Sequence, residues 1–166
     1  VLMQRKLVLL VALGLLLSVA VAAPASGKKD GDLKDQPFKV TADRVFAGES
    51  DLCPVEYLVA EDSEYIGRGT HLGLFELYET LCLDPIDGVF FVDGKLVAAN
   101  GDELYFRVDG TFPPLESSGW VFTGGTGRFA SAEGVAHETL IRDDGGVIIG
   151  VDAVGTIRFN ASDRSK

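Results

Sequence analysis

The chain carries 25 acidic against 15 basic side chains in 166 residues, a formal net charge of −10. That balance argues against nucleic acid and anionic lipid as partners, since both are held chiefly by Lys and Arg meeting phosphate. The length suits one domain able to bury a single sizeable core.

At the start, Arg5 and Lys6 precede an unbroken apolar run from Leu7 to Leu17 that closes in small residues, the pattern of a secretory signal peptide. Ala20 and Ala22 set a cut after residue 22, and Ala23 and Ala25 frame a second site. A membrane anchor is the competing reading, but the run falls short of the roughly 20 residues a spanning helix needs. The expected product is secreted, extracellular or periplasmic, with no membrane contact after cleavage, and it is more acidic still once Arg5 and Lys6 are gone. The stretch ASGKKDGDLKDQP is charged and poor in apolar residues, so residues 23–37 read as a disordered leader, 38–160 as the folded domain and 161–166 as a tail. The aspartates of DGDLKD lack the closing glutamate of a calcium loop.

From Phe38 to Phe159 the dominant signal is alternation with a period of two, which marks strands with one buried face. Within this region Cys53 and Cys82 are the sole cysteines, and in an exported chain they read as one disulfide closing a loop of about 30 residues. A free reactive thiol is the alternative. LFELYETLCL, residues 74–83, fits a helical stripe as well as a strand, and its strand-rich surroundings favour strand. In ELYFRVDG, Leu104, Phe106 and Val108 share one face, with Tyr105, Arg107 and Asp109 on the other. In VAHETLIR, Val135, His137, Thr139 and Ile141 share a side, so His137 and Glu138 point apart and form no dyad. Turn signals fall at Asp87-Gly88, Asp93-Gly94, Asn100-Gly101, Asp109-Gly110 and Asp144-Gly145. Asn100, Gly101 and Asp102 look like a hairpin turn, with Asp102 accepting backbone N–H groups across it. The closing GGVIIGVDAVGTIRF is apolar on both faces for much of its length, as in a closed sheet. Many short strands with few helices give a sandwich or a barrel, and a barrel removes the exposed edges.

The glycine-dense GGTGRFASAEG, residues 124–134, poses a choice between a phosphate cradle and a structural turn. No Gly-Lys-Ser/Thr follows it and the next residues alternate as a strand, so Gly124, Gly125 and Gly127 read as structural. This stretch with its following strand is similar to one in the plant dirigent proteins and, more loosely, in the allene oxide cyclases. GRGTHLGLFE, residues 67–76, and VAANGDELYFRVDG, residues 97–110, resemble bacterial exported proteins with an allene-oxide-cyclase-like barrel. The resemblance implies an all-β, eight-stranded antiparallel barrel of calycin type. The plant cyclases hold substrate in an apolar barrel cavity with a glutamate from an early strand. Here Glu56, Glu61 and Glu64 offer themselves without a matching motif, so no catalytic residue transfers, and the acidic pocket residues of dirigent proteins find no match either.

Two readings follow. In the first, a non-catalytic barrel binds a small apolar molecule, with Phe75, Tyr105, Trp120 and Phe122 either lining a cavity or filling it. His71 is then a proton carrier at the barrel mouth or a side chain pinned in a turn, Arg128 a carboxylate reader or an ion-pair partner, and His137 a further ligand contact. In the second, an intramolecular cyclase or isomerase, or a dirigent-like protein, steers a reactive substrate by confinement. A cavity holding a buried carboxylate or His with polar neighbours favours catalysis, and a plugged interior favours a structural role. Two histidines without a third ligand make no metal site, no cofactor is expected, and the oligomeric state stays open. Ser117, Ser118 and Ser131 lie in no nucleophile elbow, and Asn160-Ala161-Ser162 fits a glycan acceptor.

Overall fold

The computed structural model describes residues 34–112, 116–117 and 119–160. The expected signal peptide, residues 23–33 of the expected leader, the tail at 161–166 and most of the DGDLKD stretch lie outside the described residues. So do Ser118 and the last two residues of the glycan pattern.

Among the described residues nine strands run in chain order: β1 Gln36–Glu49, β2 Val59–Gly69, β3 Gly73–Asp84, β4 Val89–Ala98, β5 Glu103–Thr111, β6 Glu116–Ser117, β7 Trp120–Gly125, β8 Glu133–Arg142 and β9 Ile148–Arg158. All pair antiparallel. The order β1-β2-β3-β4-β5-β7-β8-β9 returns to β1 and closes an eight-stranded barrel, with the two-residue β6 paired to the end of β5. The ambiguous LFELYETLCL is strand β3. Helix among the described residues is confined to one 3₁₀ turn, Gly127–Phe129, and none is long and apolar enough to cross a membrane.

Strand pairing explains the alternation. In β1, Phe38, Val40 and Ala42 face in, opposite Gly155, Ala153 and Val151 of β9. In β3, Phe75 and Leu77 face in, opposite Ala98 and Leu96 of β4. An inward residue in one strand thus meets an inward residue in the next around the ring, because successive side chains alternate between faces.

The interior divides along the barrel axis. In the half that holds the β2–β3 turn, the β4–β5 turn and the 126–132 loop, aromatic rings fill the lumen. Phe106 stacks on Trp120 at 4.3 Å between centroids, Phe38 meets Phe122 edge-on at 4.8 Å, and Phe129 packs on Phe159 at 5.1 Å. Phe106 fits because residue 94 opposite has no side chain: a Cβ there would lie 2.2 Å from its ring. Asp93-Gly94 is therefore mid-strand and not a turn, and Asp109-Gly110 also lies within β5. Their aspartates face solvent, and Gly94 makes room inside. Hairpin turns do form at Gly88, Gly101 and Gly146, each at positive φ.

At the other half, the 50–58 segment folds against the outer wall. The Cys53–Cys82 disulfide, with Cα atoms 5.6 Å apart, clasps it to the outward face of β3, and Tyr57 packs edge-on against Phe91 of β4. Cys82 is buried beneath this segment and not within the barrel.

Candidate functional site

The half of the barrel beyond the aromatic plug is not filled. It holds a cavity of about 300 Å³, at the lower end of the range for small-molecule sites. One arc of its wall is polar: Arg44 from β1, Glu61, Ser63 and Tyr65 from β2, Glu79 from β3, and Glu138 with Arg142 from β8. The facing arc is apolar, with Leu81, Leu83, Phe90, Val92, Val108 and Ile148. Glu79 follows inward Phe75 and Leu77 on β3, and Glu138 lies between Ala136 and Leu140 on β8.

Arg44 anchors the polar arc. Its Nη2 donates to Glu61 Oε1 and, at 2.7 Å, to Ser63 Oγ, while its guanidinium lies over the Tyr65 ring. Ser63 Oγ also donates to Glu61 Oε1 at 3.2 Å. These bonds commit the cation to β2, although its Nε, also enclosed, has no partner. Glu138 accepts a 2.6 Å hydrogen bond from Trp120 Nε1, which ties the cavity floor to the plug.

Glu79 is different. It stands opposite Ser63 on β2 and Gly94 on β4, and its Oε1 is enclosed with no hydrogen-bond partner among the described residues. The surface it retains faces the cavity. Burial, and then the nearby charge of Glu138, push its carboxyl up to about 8, with Tyr65 and Arg44 offsetting this in part. Burial likewise raises Glu138, opposed by the Trp120 hydrogen bond. Tyr65 is raised by its own burial and by the charge of Glu79. At neutral pH Glu79 therefore holds a proton it can give up, the property required of a general acid or base.

None of the seven ligand-contact residues expected from sequence lines this cavity. Phe75, Trp120 and Phe122 face in but belong to the filled half. Tyr105 and His137 face out, because Leu104, Phe106, Ala136 and Glu138 take the inward positions of their strands. Tyr105 donates to Glu103 on that outer surface. His71 and Arg128 lie at the closed end. His71 occupies the β2–β3 turn at φ 63°, with Nε2 3.0 Å from the Pro37 carbonyl oxygen and its ring edge-on to Phe159. Of the early-strand glutamates, Glu61 reaches the cavity, whereas Glu56 and Glu64 are exposed outside it.

The glycine loop is already occupied by the protein's own anion. Arg128 Nε lies 3.4 Å from Asp102 Oδ2, and a Cβ at residue 127 would fall 2.0 Å from Asp102 Oδ1. Thr126 completes the tie, its N–H donating to the Glu103 carbonyl and its Oγ1 accepting from the Glu103 N–H. A carboxylate thus sits where a phosphate would have to. Asp102 takes its strongest bond, 2.8 Å, from Asn100 Nδ2 within the turn.

Sequence reasoning passed over Arg44, Ser63, Tyr65 and Glu79, and weighed Glu138 only as a partner for His137. The available signal was a charged residue on the apolar parity of a strand, as Glu79 is in LFELYETLCL. Among the described residues no group of three or more His, Cys, Asp or Glu side chains is arranged to hold a metal ion. Comparison of the chain with family models, with curated proteins and with solved structures returns no match.

Proposed function

We propose that this is an exported barrel of the allene-oxide-cyclase-like type that binds one small, mainly hydrophobic molecule in the open half of its barrel. The observation that carries the reading is the cavity itself: an apolar wall faces Glu79, a carboxyl with an oxygen that no protein group satisfies. Buried polar atoms in native proteins are nearly always paired, so a persistent exception calls for a partner from outside the chain. Export is supported by the sequence pattern at 1–22 and by the Cys53–Cys82 disulfide, which suits an oxidising compartment.

A second reading, cyclase or isomerase, is favoured by one feature, the elevated titration of Glu79 inside a confined space. In that case Glu79 moves a proton on the bound molecule while the Leu81, Val92 and Val108 walls hold its shape.

Native mass spectrometry tests the binding reading on the secreted protein and on Leu81→Trp, which fills the cavity. The expected result is a retained small molecule, or uptake of 2-phenylethanol, in the first and neither in the second. Bare wild-type protein that takes up no 2-phenylethanol overturns it. The catalytic reading adds that Glu79→Gln retains the molecule yet no longer converts it; conversion that survives the substitution rules it out.

A further inference from the structure

Two carboxyls face the cavity with no cation bonded to either, and that pair specifies the missing group. Arg44 enters from β1, Glu61 and Tyr65 from β2, Glu79 from β3, and Glu138 and Arg142 from β8. β4, β5 and β9 present only apolar side chains to it, and Trp120 of β7 has its N–H on Glu138. Arg44 bonds Glu61 and Ser63 through Nη2, and Arg142 donates from Nη1 to the Gly146 carbonyl at 2.8 Å, in the β8–β9 turn. Among the described residues, then, no cation is bonded to Glu79 or Glu138 where they face the cavity. An anionic ligand would meet both carboxyls. A neutral hydroxyl would satisfy one oxygen and bring no charge to either carboxyl. An ammonium carries three donors and one positive charge, enough for Glu79, Glu138 and the Tyr65 oxygen together.

Resting on the binding reading above, we propose that the cavity takes a protonated amine with an apolar body, its ammonium facing Glu79 and Glu138. The proton Glu79 carries at neutral pH is then released to solvent as the amine enters, because the arriving cation favours the ionised carboxylate. The fixed pair Arg44–Glu61 is unchanged by the exchange. The apolar arc of Leu81, Val92 and Val108 takes the body of the ligand.

Calorimetry on the full secreted chain at neutral pH distinguishes the possibilities with three probes of one shape: phenethylamine, 2-phenylethanol and 3-phenylpropionate. The amine is expected to bind at least about tenfold more tightly than the alcohol, in keeping with a charge-assisted hydrogen bond in an enclosed site, and the acid least. Titrations repeated in phosphate and in Tris should show close to one proton released per amine and none with the alcohol. In Glu79→Gln the preference for the amine over the alcohol and the proton release should both disappear. Should Glu79→Gln fail to fold, Glu138→Gln serves, with the preference for the amine over the alcohol expected to fall. Alcohol binding as tight as amine binding, or amine binding without proton release, overturns the amine assignment and leaves the binding reading standing. If none of the three binds, both fall.

Discussion

Replacing Glu79 with Gln should remove a pH dependence built into the folded state. The carboxyl titrates near 4.5 in the unfolded chain and at about 8 in the barrel. Between those values the folded protein holds a proton that the unfolded chain gives up. The stability this confers is fully present below about pH 4.5, falls by roughly 1.4 kcal/mol per pH unit as pH rises, and is gone above about pH 8. Across the window the loss is on the order of 5 kcal/mol, comparable to the whole stability of a marginal domain. Glu138, raised for the same reason, tilts the curve in the same direction. Gln keeps the shape and cannot ionise, so the comparison isolates residue 79 from the many surface carboxylates. Urea unfolding of both proteins from about pH 5 to pH 9 should show curves that diverge with rising pH, the variant becoming the more stable by pH 8. Parallel curves would refute the claim that Glu79 is held protonated by burial.

Three further outcomes follow from the geometry. Replacing both Cys53 and Cys82 with Ser frees the 50–58 segment from β3 and should cost about 3 kcal/mol in urea unfolding, with reductant then changing nothing further. Gly127→Ala places a Cβ against Asp102 at a positive φ and should cost about 1–3 kcal/mol, seen as a lower thermal midpoint, while Ala at residue 145, where φ is not positive and Asp143 is the nearest neighbour, should be close to neutral. Trp120→Phe removes the donor that holds Glu138 down, so the Glu138 carboxyl should titrate higher by carbon-detected NMR. An unchanged Glu138 titration would mean that the indole N–H does not stabilise its charge.

The strands were legible because alternation is written directly in residue type, and Leu104, Phe106 and Val108 face in as the pattern requires. The disulfide was legible because two cysteines leave one pairing. The cavity was not, because alternation gives a side chain's face but not its depth along the barrel. Trp120 and Phe122 look like ligand contacts in a list of inward aromatics, yet their heights in β7 place them in the plug. Tyr105 and His137 attracted attention by chemistry alone, and strand parity turns both outward. Asp93-Gly94 misled for a related reason: the dipeptide that suits a turn also suits a mid-strand site where a ring must fit.

Depth also explains why the barrel tolerates a charged interior at all. The filled half, with its stacked Phe106 and Trp120, supplies continuous apolar packing, and there a lone carboxylate would cost several kcal/mol with nothing to offset it. The polar residues are gathered instead on β1, β2, β3 and β8, where Arg44 can bridge Glu61 and Ser63 and Trp120 can reach Glu138. Glu79 has one oxygen without a partner, and its cost is met chiefly by keeping a proton. A barrel selected for stability alone would place Leu at residue 79, opposite Gly94, and close the lumen. On this reasoning Glu79→Leu should raise the unfolding midpoint above pH 8 while abolishing uptake of 2-phenylethanol. A variant that gained stability and still bound the alcohol would separate the buried carboxyl from the binding site.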